Sequence, residues 1–147
     1  MAARPGSRSR RQSAREYPAP LILVCDDNAE DREMYATYFL AMGYRVQTAT
    51  DGDMAFRYAV ESRPDAIVMD LSMPRVDGWE ATRRLKTDGR TRHIPVIACT
   101  GHAFGASVER ALVVGCDAYV VKPCRPSDLL KEIRRLLVRA GDEQEQA

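Results

Sequence analysis

The sequence has no long apolar segment and no marked excess of charge of either sign. No uninterrupted apolar run in its 147 residues is longer than five, the length of Leu21–Cys25. A membrane-spanning helix needs about 20 apolar residues and a signal peptide about 7–15, so neither is predicted. The 22 basic and 21 acidic residues leave a formal net charge of +1, which argues against a dedicated nucleic-acid binder. We therefore expect a cytoplasmic protein that binds neither membranes nor nucleic acids directly.

Two kinds of ligand motif are also missing. The four cysteines have no C-x-x-C spacing and no histidine at zinc-finger distance, which favours reduced, buried thiols and does not support zinc. The sequence contains neither G-x-G-x-x-G nor G-x-x-x-x-G-K-[ST]. Dinucleotide binding and P-loop nucleotide binding therefore lose most of their support.

Charge is distributed unevenly along the chain. Residues 1–20 contain five Arg and one Glu, and residues 141–147 contain three acidic residues and no basic one. Both ends have little to bury and are predicted to be disordered tails, the first basic and the second acidic. The neutral segment 21–140 is long enough for a single domain with its own core.

Within this segment, short apolar runs alternate with segments of helical periodicity. Strands are predicted at 21–25, 45–49, 66–70, 94–99 and 118–121. Helices are predicted at 29–42, 53–62, 78–87, 104–114 and 126–139. On the first of these helices the apolar stripe comprises Met34, Tyr35, Tyr38, Phe39 and Met42. Five β-α units in strict alternation predict an α/β fold, a doubly wound parallel sheet of five strands with helices on both faces.

Polar residues stand at the carboxyl ends of these strands, where such sheets bind their ligands. Asp26 and Asp27 follow the first strand, Asp70 ends the third, Thr100 follows the fourth and Lys122 follows the fifth. Three converging carboxylates repel one another unless a cation lies among them, and oxygen ligands of this kind suit Mg²⁺. Three Asp, one Mg²⁺ and one Lys sum to zero charge. The sequence therefore predicts a magnesium site at this edge of the sheet.

A carboxylate beside Mg²⁺ can attack a phosphoryl group and form an aspartyl phosphate. The metal and Lys122 would stabilise charge on the phosphoryl oxygens, and the Thr100 hydroxyl would donate to one of them. Each residue alone has a simpler explanation, since Asp26-Asp27 would serve as a helix cap, Lys122 as a solvated loop residue and Thr100 as a structural one. Their joint placement at four strand ends favours the chemistry.

These residues, in this order, resemble the receiver domain of two-component response regulators over about residues 21–139. The matching motifs are Asp26-Asp27-Asn28, Asp70-Leu71-Ser72-Met73-Pro74 with Asp77-Gly78, Thr100-Gly101 and Lys122-Pro123. The resemblance implies a flavodoxin-like sheet of strand order 2-1-3-4-5. It also implies a phosphoprotein of a phosphorelay, which takes its phosphoryl group from a sensor histidine kinase or a phosphotransfer protein.

The resemblance also implies a role for each residue of the acidic cluster. Asp70 would be the phosphoacceptor, Asp27 and Asp70 direct Mg²⁺ ligands, and Asp26 a ligand that acts at least partly through water. The backbone carbonyl of Ser72 would add a further ligand.

Further roles follow from the same resemblance. Thr100 and Lys122 would bind the phosphoryl group, and Thr100 and Tyr119 would form the switch that responds to it. The Lys122–Pro123 peptide bond is expected to be cis. His102 and Ser72 flank the expected phosphoryl site, where tuning of hydrolysis and simple surface exposure are equally good explanations.

We therefore expect a stand-alone receiver, a phosphoacceptor that assists its own phosphorylation and dephosphorylation without being an enzyme. Only residues 141–147 follow the last predicted helix, so output is expected to act on a separate protein or on a second copy of the chain. The expected surface is the fourth predicted helix, the fifth strand and the fifth predicted helix.

Two alternatives to this reading remain. One is a phosphorylation-independent scaffold of the same fold. The other is an aspartyl-phosphate phosphatase resembling the haloacid dehalogenases, which would need Asp-x-Asp-x-Thr/Val where this chain has Asp26-Asp27-Asn28-Ala29.

Overall fold

A five-stranded parallel sheet forms the centre of the protein. The computed structural model describes residues 18–71, 73, 76–101, 110, 112 and 114–145. The strands are β1 Leu21–Cys25, β2 Arg45–Ala49, β3 Ala66–Asp70, β4 Val96–Thr100 and β5 Ala118–Val121. They lie in the order β2-β1-β3-β4-β5, and every neighbouring pair is parallel. The predicted α/β fold and its strand order are confirmed.

Helices cover both faces of this sheet. Within the described residues they are α1 Ala29–Ala41, α2 Gly52–Ser62, α3 Gly78–Thr87 and α4 Pro126–Glu145. The fourth predicted helix, 104–114, lies mostly outside the described residues, although residues 110, 112 and 114 are helical. Thus α4 corresponds to the fifth predicted helix. None of the helices in the described ranges has both the length and the apolar character needed to cross a membrane.

Alternate residues of each strand pack on opposite faces of the sheet. In β1, Leu23 and Cys25 belong to the core shared with α2 and α3, whereas Ile22 and Val24 belong to the core shared with α1 and α4. Both β3 and β4 are buried along their whole length. Burial on both faces explains why these strands read as continuous apolar runs, and it leaves the strand ends as the place where polar residues gather.

A side-chain cap starts each of the first three helices. Asn28, Asp51 and Asp77 each accept a hydrogen bond from the backbone N–H three residues further on, at 2.8–3.0 Å. Each cap satisfies a helix N–H that has no partner within the helix. Because Asn28 caps α1, neither Asp26 nor Asp27 is used for that purpose.

Five element boundaries differ from the prediction. Three differ by a single residue, since α1 ends at Ala41 rather than at 42, α2 begins at Gly52 rather than at 53 and β4 ends at Thr100 rather than at 99. Strand β4 begins at Val96 rather than at residue 94, since Pro95 has no N–H to donate and the pairing with Ile67 starts at Val96. Helix α4 continues to Glu145 rather than ending at 139, so most of the segment 141–147, predicted to be a disordered tail, extends the helix. No proline interrupts the chain after Pro126. The predicted tail 1–20 falls largely outside the described residues.

The apolar stripe of α1 is narrower than predicted. Tyr35 and Phe39 are buried and Tyr38 packs beside them, but Met34 and Met42 are 42% and 44% exposed. Met42 caps the carboxyl end of the helix rather than lying within it. The helix therefore buries the part of its surface centred on Tyr35 and Phe39.

Candidate functional site

Three carboxylates meet at the carboxyl ends of the neighbouring strands β1 and β3. Asp26 and Asp27 follow β1, and Asp70 is the last residue of β3, which lies beside β1. One carboxylate oxygen from each of the three lies within 4.8 Å of the other two. The structure thus brings together the three acidic residues that the sequence analysis expected to converge.

The three carboxylates differ in their access to solvent. The side chains of Asp26 and Asp70 are 4% and 9% exposed, whereas Asp27 is an exposed residue. The Asp26 backbone N–H donates to the carbonyl of Ala49 at 3.1 Å, and its Oδ1 accepts from the backbone N–H of Asn28 at 2.9 Å. Asp26 is therefore held in place from two sides, while Asp27 opens the cluster to solvent.

Lys122 supplies the positive charge next to the cluster. Its Nζ donates to Asp26 Oδ2 at 2.7 Å and to Asp31 Oδ2 at 3.1 Å, and it lies 3.7 Å from Asp70 Oδ2. Burial opposes the charged form of the lysine. The hydrogen bonds with Asp26 and Asp31 and the charge of Asp70 outweigh this effect and raise the pKa of Lys122. The lysine therefore remains a cation beside the carboxylates.

Thr100 and Lys122 are joined through their backbones at the ends of neighbouring strands. The Lys122 N–H donates to the Thr100 carbonyl at 2.7 Å, and Thr100 is only 2% exposed. The Lys122–Pro123 peptide bond is cis, as the resemblance implied. The two residues expected to bind a phosphoryl group therefore belong to adjacent strand ends beside the acidic cluster.

Gly78 allows the start of α3 to approach the loop after Asp70. Its N–H donates to the carbonyl of Leu71 at 3.2 Å. A Cβ at this position would overlap the carbonyl oxygen of Asp70 and lie 2.6 Å from the Cα of Leu71. Glycine is therefore the residue that fits between α3 and the backbone carrying Asp70.

Of the three remaining predicted site residues, the structure describes Tyr119 but not Ser72 or His102. Tyr119 lies on β5 opposite Ala98, is half-buried and packs against the core on the α2 and α3 side. Burial raises its pKa. Ser72 and His102 lie outside the described residues, so the ligand role of the Ser72 carbonyl and the tuning roles of both stay predictions.

Two residues near the site escaped the sequence analysis. Asp31 accepts a hydrogen bond from Lys122, and Arg32 donates from Nη1 to the backbone carbonyl of Asp26 at 3.0 Å. Both lie in the first turn of α1, directly after the loop that carries Asp26 and Asp27. That position is the signal that would have pointed to them, since the first helical turn stays close to the strand end before it.

The donor set of the cluster fits magnesium. Mg²⁺ prefers oxygen ligands, keeps several waters and is usually held by one or two carboxylates. Here two buried carboxylates and one exposed carboxylate lie within 4.8 Å of one another, with one side open to solvent. The residues present are therefore of the type and arrangement that a partly hydrated Mg²⁺ requires.

Comparison with known proteins identifies the class to which this fold and site belong. The family described as the response regulator receiver domain matches residues 22–134. The chain therefore belongs to the receiver domain family of two-component response regulators. In this family Mg²⁺ and phosphoaspartate are general features, and receiver domains interact with histidine kinases and downstream targets.

Individual relatives agree with this assignment. The polar-differentiation response regulator DivK of Brucella anthropi is 36% identical over 116 residues, which cover 79% of this chain and 94% of DivK. The chemotaxis response regulator CheY4 of Vibrio cholerae superposes with a TM-score of 0.76 at 29% identity, covering 80% of this chain and 98% of that one.

One solved relative bears on the metal. The receiver domain of the sensor histidine kinase PA1611 from Pseudomonas aeruginosa PAO1 has a magnesium ion coordinated in its active site cleft. It matches with a TM-score of 0.76 at 33% identity and covers 81% of this chain and 98% of its own.

Proposed function

We propose that this protein is a phosphorylation-controlled switch. It accepts a phosphoryl group on Asp70 from a histidine kinase or a phosphotransfer protein, in a reaction that needs Mg²⁺, and then changes its affinity for a separate protein. The observation that carries this proposal is the convergence of Asp26, Asp27 and Asp70 beside Lys122. The proposal treats the chain as a phosphoacceptor that assists its own reaction and not as an enzyme.

A carboxylate oxygen of Asp70 is the nucleophile in this reaction. Its attack forms an oxygen–phosphorus bond as the bond between phosphorus and the donor group breaks. The Lys122 ammonium stabilises charge on the phosphoryl oxygens, and the Thr100 hydroxyl donates to one of them. Both residues stand at strand ends beside Asp70, which supports these assignments.

Asp26, Asp27 and Asp70 are the residues that would hold the metal. Bound Mg²⁺ would neutralise the carboxylates and the incoming phosphoryl oxygens. Asp27 is exposed and has no lysine contact among the described residues, which suits a direct ligand. Asp26 already accepts from Lys122 and from the Asn28 N–H, which suits action partly through water. The Ser72 carbonyl is proposed as a further ligand.

Output is proposed to use β5, α4 and the fourth predicted helix, 104–114, of which the structure describes residues 110, 112 and 114 as helical. A phosphoryl group that draws Thr100 toward it would favour a new position for Tyr119, which lies on the adjacent strand. Exposed residues of mixed character lie along this surface and suit a polar, reversible interface with a downstream protein or a second copy of the chain. They are Arg110, Leu112, Val121, Lys131 and Arg135.

The relatives support a stand-alone mode, and the state of the cysteines supports a cytoplasmic setting. The chain matches 94% of DivK and 98% of CheY4, both of which are response regulators. All four cysteines are free, and Cys25, Cys99 and Cys116 are buried, which suits a reducing compartment.

The proposal is tested by treating the protein with acetyl phosphate and measuring its intact mass. We expect the gain of one phosphoryl group, reversed by hydroxylamine and absent in excess EDTA. Asp70→Asn should abolish it, whereas Asp88→Asn should leave it intact, because Asp88 caps the carboxyl end of α3 and pairs with Arg90, outside the acidic cluster. Labelling of Asp70→Asn at the wild-type level would contradict the proposal.

The output step needs a separate test. Binding to a candidate partner, or self-association, is measured with and without beryllofluoride for the wild type and for Tyr119→Ala. We expect beryllofluoride to change the affinity of the wild type more than that of the variant. Equal affinity under all four conditions would favour the phosphorylation-independent scaffold.

A further inference from the structure

We propose that Asp31 is a positioning residue that retains Lys122 in the unphosphorylated protein and so opposes its engagement with a phosphoryl group. This inference deepens the proposed function and rests on it. The acidic cluster of Asp26, Asp27 and Asp70 together with Lys122 accounts for the phosphoryl chemistry without Asp31. Asp31 therefore provides a fourth carboxylate that the reaction itself does not use.

The hydrogen bonds of Lys122 show what Asp31 does in this state. An ammonium group has three N–H donors. One is used by Asp26 Oδ2 at 2.7 Å and a second by Asp31 Oδ2 at 3.1 Å, while Asp70 Oδ2 lies 3.7 Å away, beyond hydrogen-bond distance. The lysine is therefore bonded to two residues other than the phosphoacceptor.

Asp31 is held in place independently of the lysine. Its backbone N–H donates to the Asn28 side chain at 3.0 Å, and it lies in the first turn of α1. The positive end of the helix dipole favours a negative side chain there. The backbone of Asp31 is therefore fixed beside Lys122 at a position that favours a negative side chain.

A phosphoryl group on Asp70 would draw Lys122 away from one of these two partners. The bond to Asp31 is the longer one, and the Asp31 side chain is 35% exposed against 4% for Asp26. Water can replace the lysine at Asp31 more readily than at Asp26. The pair between Lys122 and Asp31 is thus a contact that favours the unphosphorylated state, and losing it is part of the cost of phosphoryl binding.

The charge of the site points in the same direction. The net charge is zero for the group formed by Asp26, Asp27, Asp70, Lys122 and one Mg²⁺. When Asp31 is counted as well, the net charge becomes −1. A phosphoryl group adds further negative charge. Neutralising Asp31 should therefore favour the phosphoryl group while giving the metal no advantage.

The test compares Asp31→Asn with Glu30→Gln. Glu30 is an exposed carboxylate in the same helical turn, so its neutralisation makes the same change in net charge beside the helix start. Beryllofluoride affinity is measured at saturating Mg²⁺ from the amide resonances of Thr100 and Lys122. We expect Asp31→Asn to bind about two- to fivefold more tightly than the wild type, the range for a partly exposed ion pair. Glu30→Gln should bind like the wild type.

A second measurement separates positioning from a general structural effect. Mg²⁺ affinity without beryllofluoride should not rise in Asp31→Asn, and the lifetime of its phosphoryl group should increase. The inference is overturned if Asp31→Asn and Glu30→Gln bind beryllofluoride equally, or if Asp31→Asn binds both ligands more weakly. Mg²⁺-dependent binding by the wild type that Asp70→Asn abolishes would leave the proposed function standing in either case. No binding by the wild type would overturn both proposals.

Discussion

At Gly78, the backbone of α3 lies against the backbone of Asp70 and Leu71 with no room for a side chain. We expect Gly78→Ala to lower the free energy of unfolding by about 1–3 kcal/mol, because an added Cβ must displace backbone atoms. Urea denaturation measures this change. The same substitution at Gly89 meets nothing within 4 Å and is the matched control, with a change of about 0.5 kcal/mol or less. Equal effects at both glycines would contradict the tight approach.

Burial of the Cys116 thiol makes the free energy of unfolding depend on pH in the alkaline range. Burial raises the pKa of the Cys116 thiol to about 11 from a usual value of 9.0. Below pH 9 the thiol is protonated in both the folded and the unfolded chain, so the full stability is present. Between pH 9 and about 11 the unfolded chain loses this proton more readily, and stability falls as the pH rises.

This dependence is tested with two variants that remove the thiol, Cys116→Ala and Cys116→Ser. Between pH 8 and pH 11, the free energy of unfolding should fall by about 2–3 kcal/mol less in each variant than in the wild type, as expected for a pKa shift of this size. The two variants will differ from each other at pH 8 through packing, so the comparison is the decrease within each protein. A decrease equal to that of the wild type would mean that Cys116 does not contribute.

At the scale of elements, Lys86 links the end of α3 to two strands. Its Nζ donates to Asp117 Oδ2 and to the carbonyl of Ile94, both at 2.8 Å, and its side chain is 16% exposed. Asp117 Oδ2 also accepts from the backbone N–H of Val96 at 2.8 Å. The amino ends of β4 and β5 are therefore fixed to α3 through one ammonium group.

We expect Lys86→Met to lower the free energy of unfolding by about 1.5–3 kcal/mol, since its charge-assisted hydrogen bonds to Asp117 and to the Ile94 carbonyl are lost. Lys131→Met is the matched control, because its side chain is 78% exposed and its Nζ is 3.9 Å from Asp128 Oδ1. A change of about 0.5 kcal/mol or less is expected there. Thermal or urea unfolding of both variants gives the comparison, and similar losses would contradict a specific role for Lys86.

The elements themselves were largely predictable from local patterns. Strands β1, β2, β3 and β5 have the predicted bounds. In β1 and β3 apolar residues mark the strand because it is buried on the sheet, whereas β2 is polar at three of its five positions and only partly buried. The start of β4 depended on pairing with β3, and the end of α4 depended on how far a polar sequence remains helical. Neither property is visible in hydrophobic periodicity.

The part of the site formed by residues at strand ends was predictable from the sequence. Asp26, Asp27, Asp70 and Lys122 could be placed together because parallel strands end at one edge of the sheet. Asp31 could not be placed in this way, since its contact with Lys122 depends on how α1 is rotated about its axis. Contacts made by helix residues across to another strand are therefore the part that sequence reasoning missed.

For the whole molecule, the acidic cluster links metal binding to stability. Like charges at one edge disfavour the folded state, so Mg²⁺ should raise the melting temperature of the wild type. Asp27→Asn should raise the melting temperature without metal by about 2–4 °C, as expected for a gain of about 1 kcal/mol in a domain of this size. The same substitution should weaken the response to Mg²⁺.

The control for this prediction is Glu61→Gln, which neutralises an exposed carboxylate near the end of α2. It should leave both the melting temperature without metal and the response to Mg²⁺ close to those of the wild type. Differential scanning calorimetry with and without Mg²⁺ gives the melting temperature without metal and the response to Mg²⁺ for both variants and the wild type. If Asp27→Asn lowers the stability without metal and leaves the Mg²⁺ response intact, the cluster is not a metal site.

The central claim is that Asp70 itself takes the phosphoryl group, and chemical trapping tests this most directly. The protein is incubated with acetyl phosphate and Mg²⁺ and then reduced with borohydride, which converts an acyl phosphate to an alcohol and so converts phosphoaspartate to homoserine. Peptide sequencing by mass spectrometry then locates the reduced residue. We predict homoserine at position 70 and at no other aspartate, and only when Mg²⁺ is present. Homoserine at position 26 or 27, or at position 70 in excess EDTA, would contradict the account.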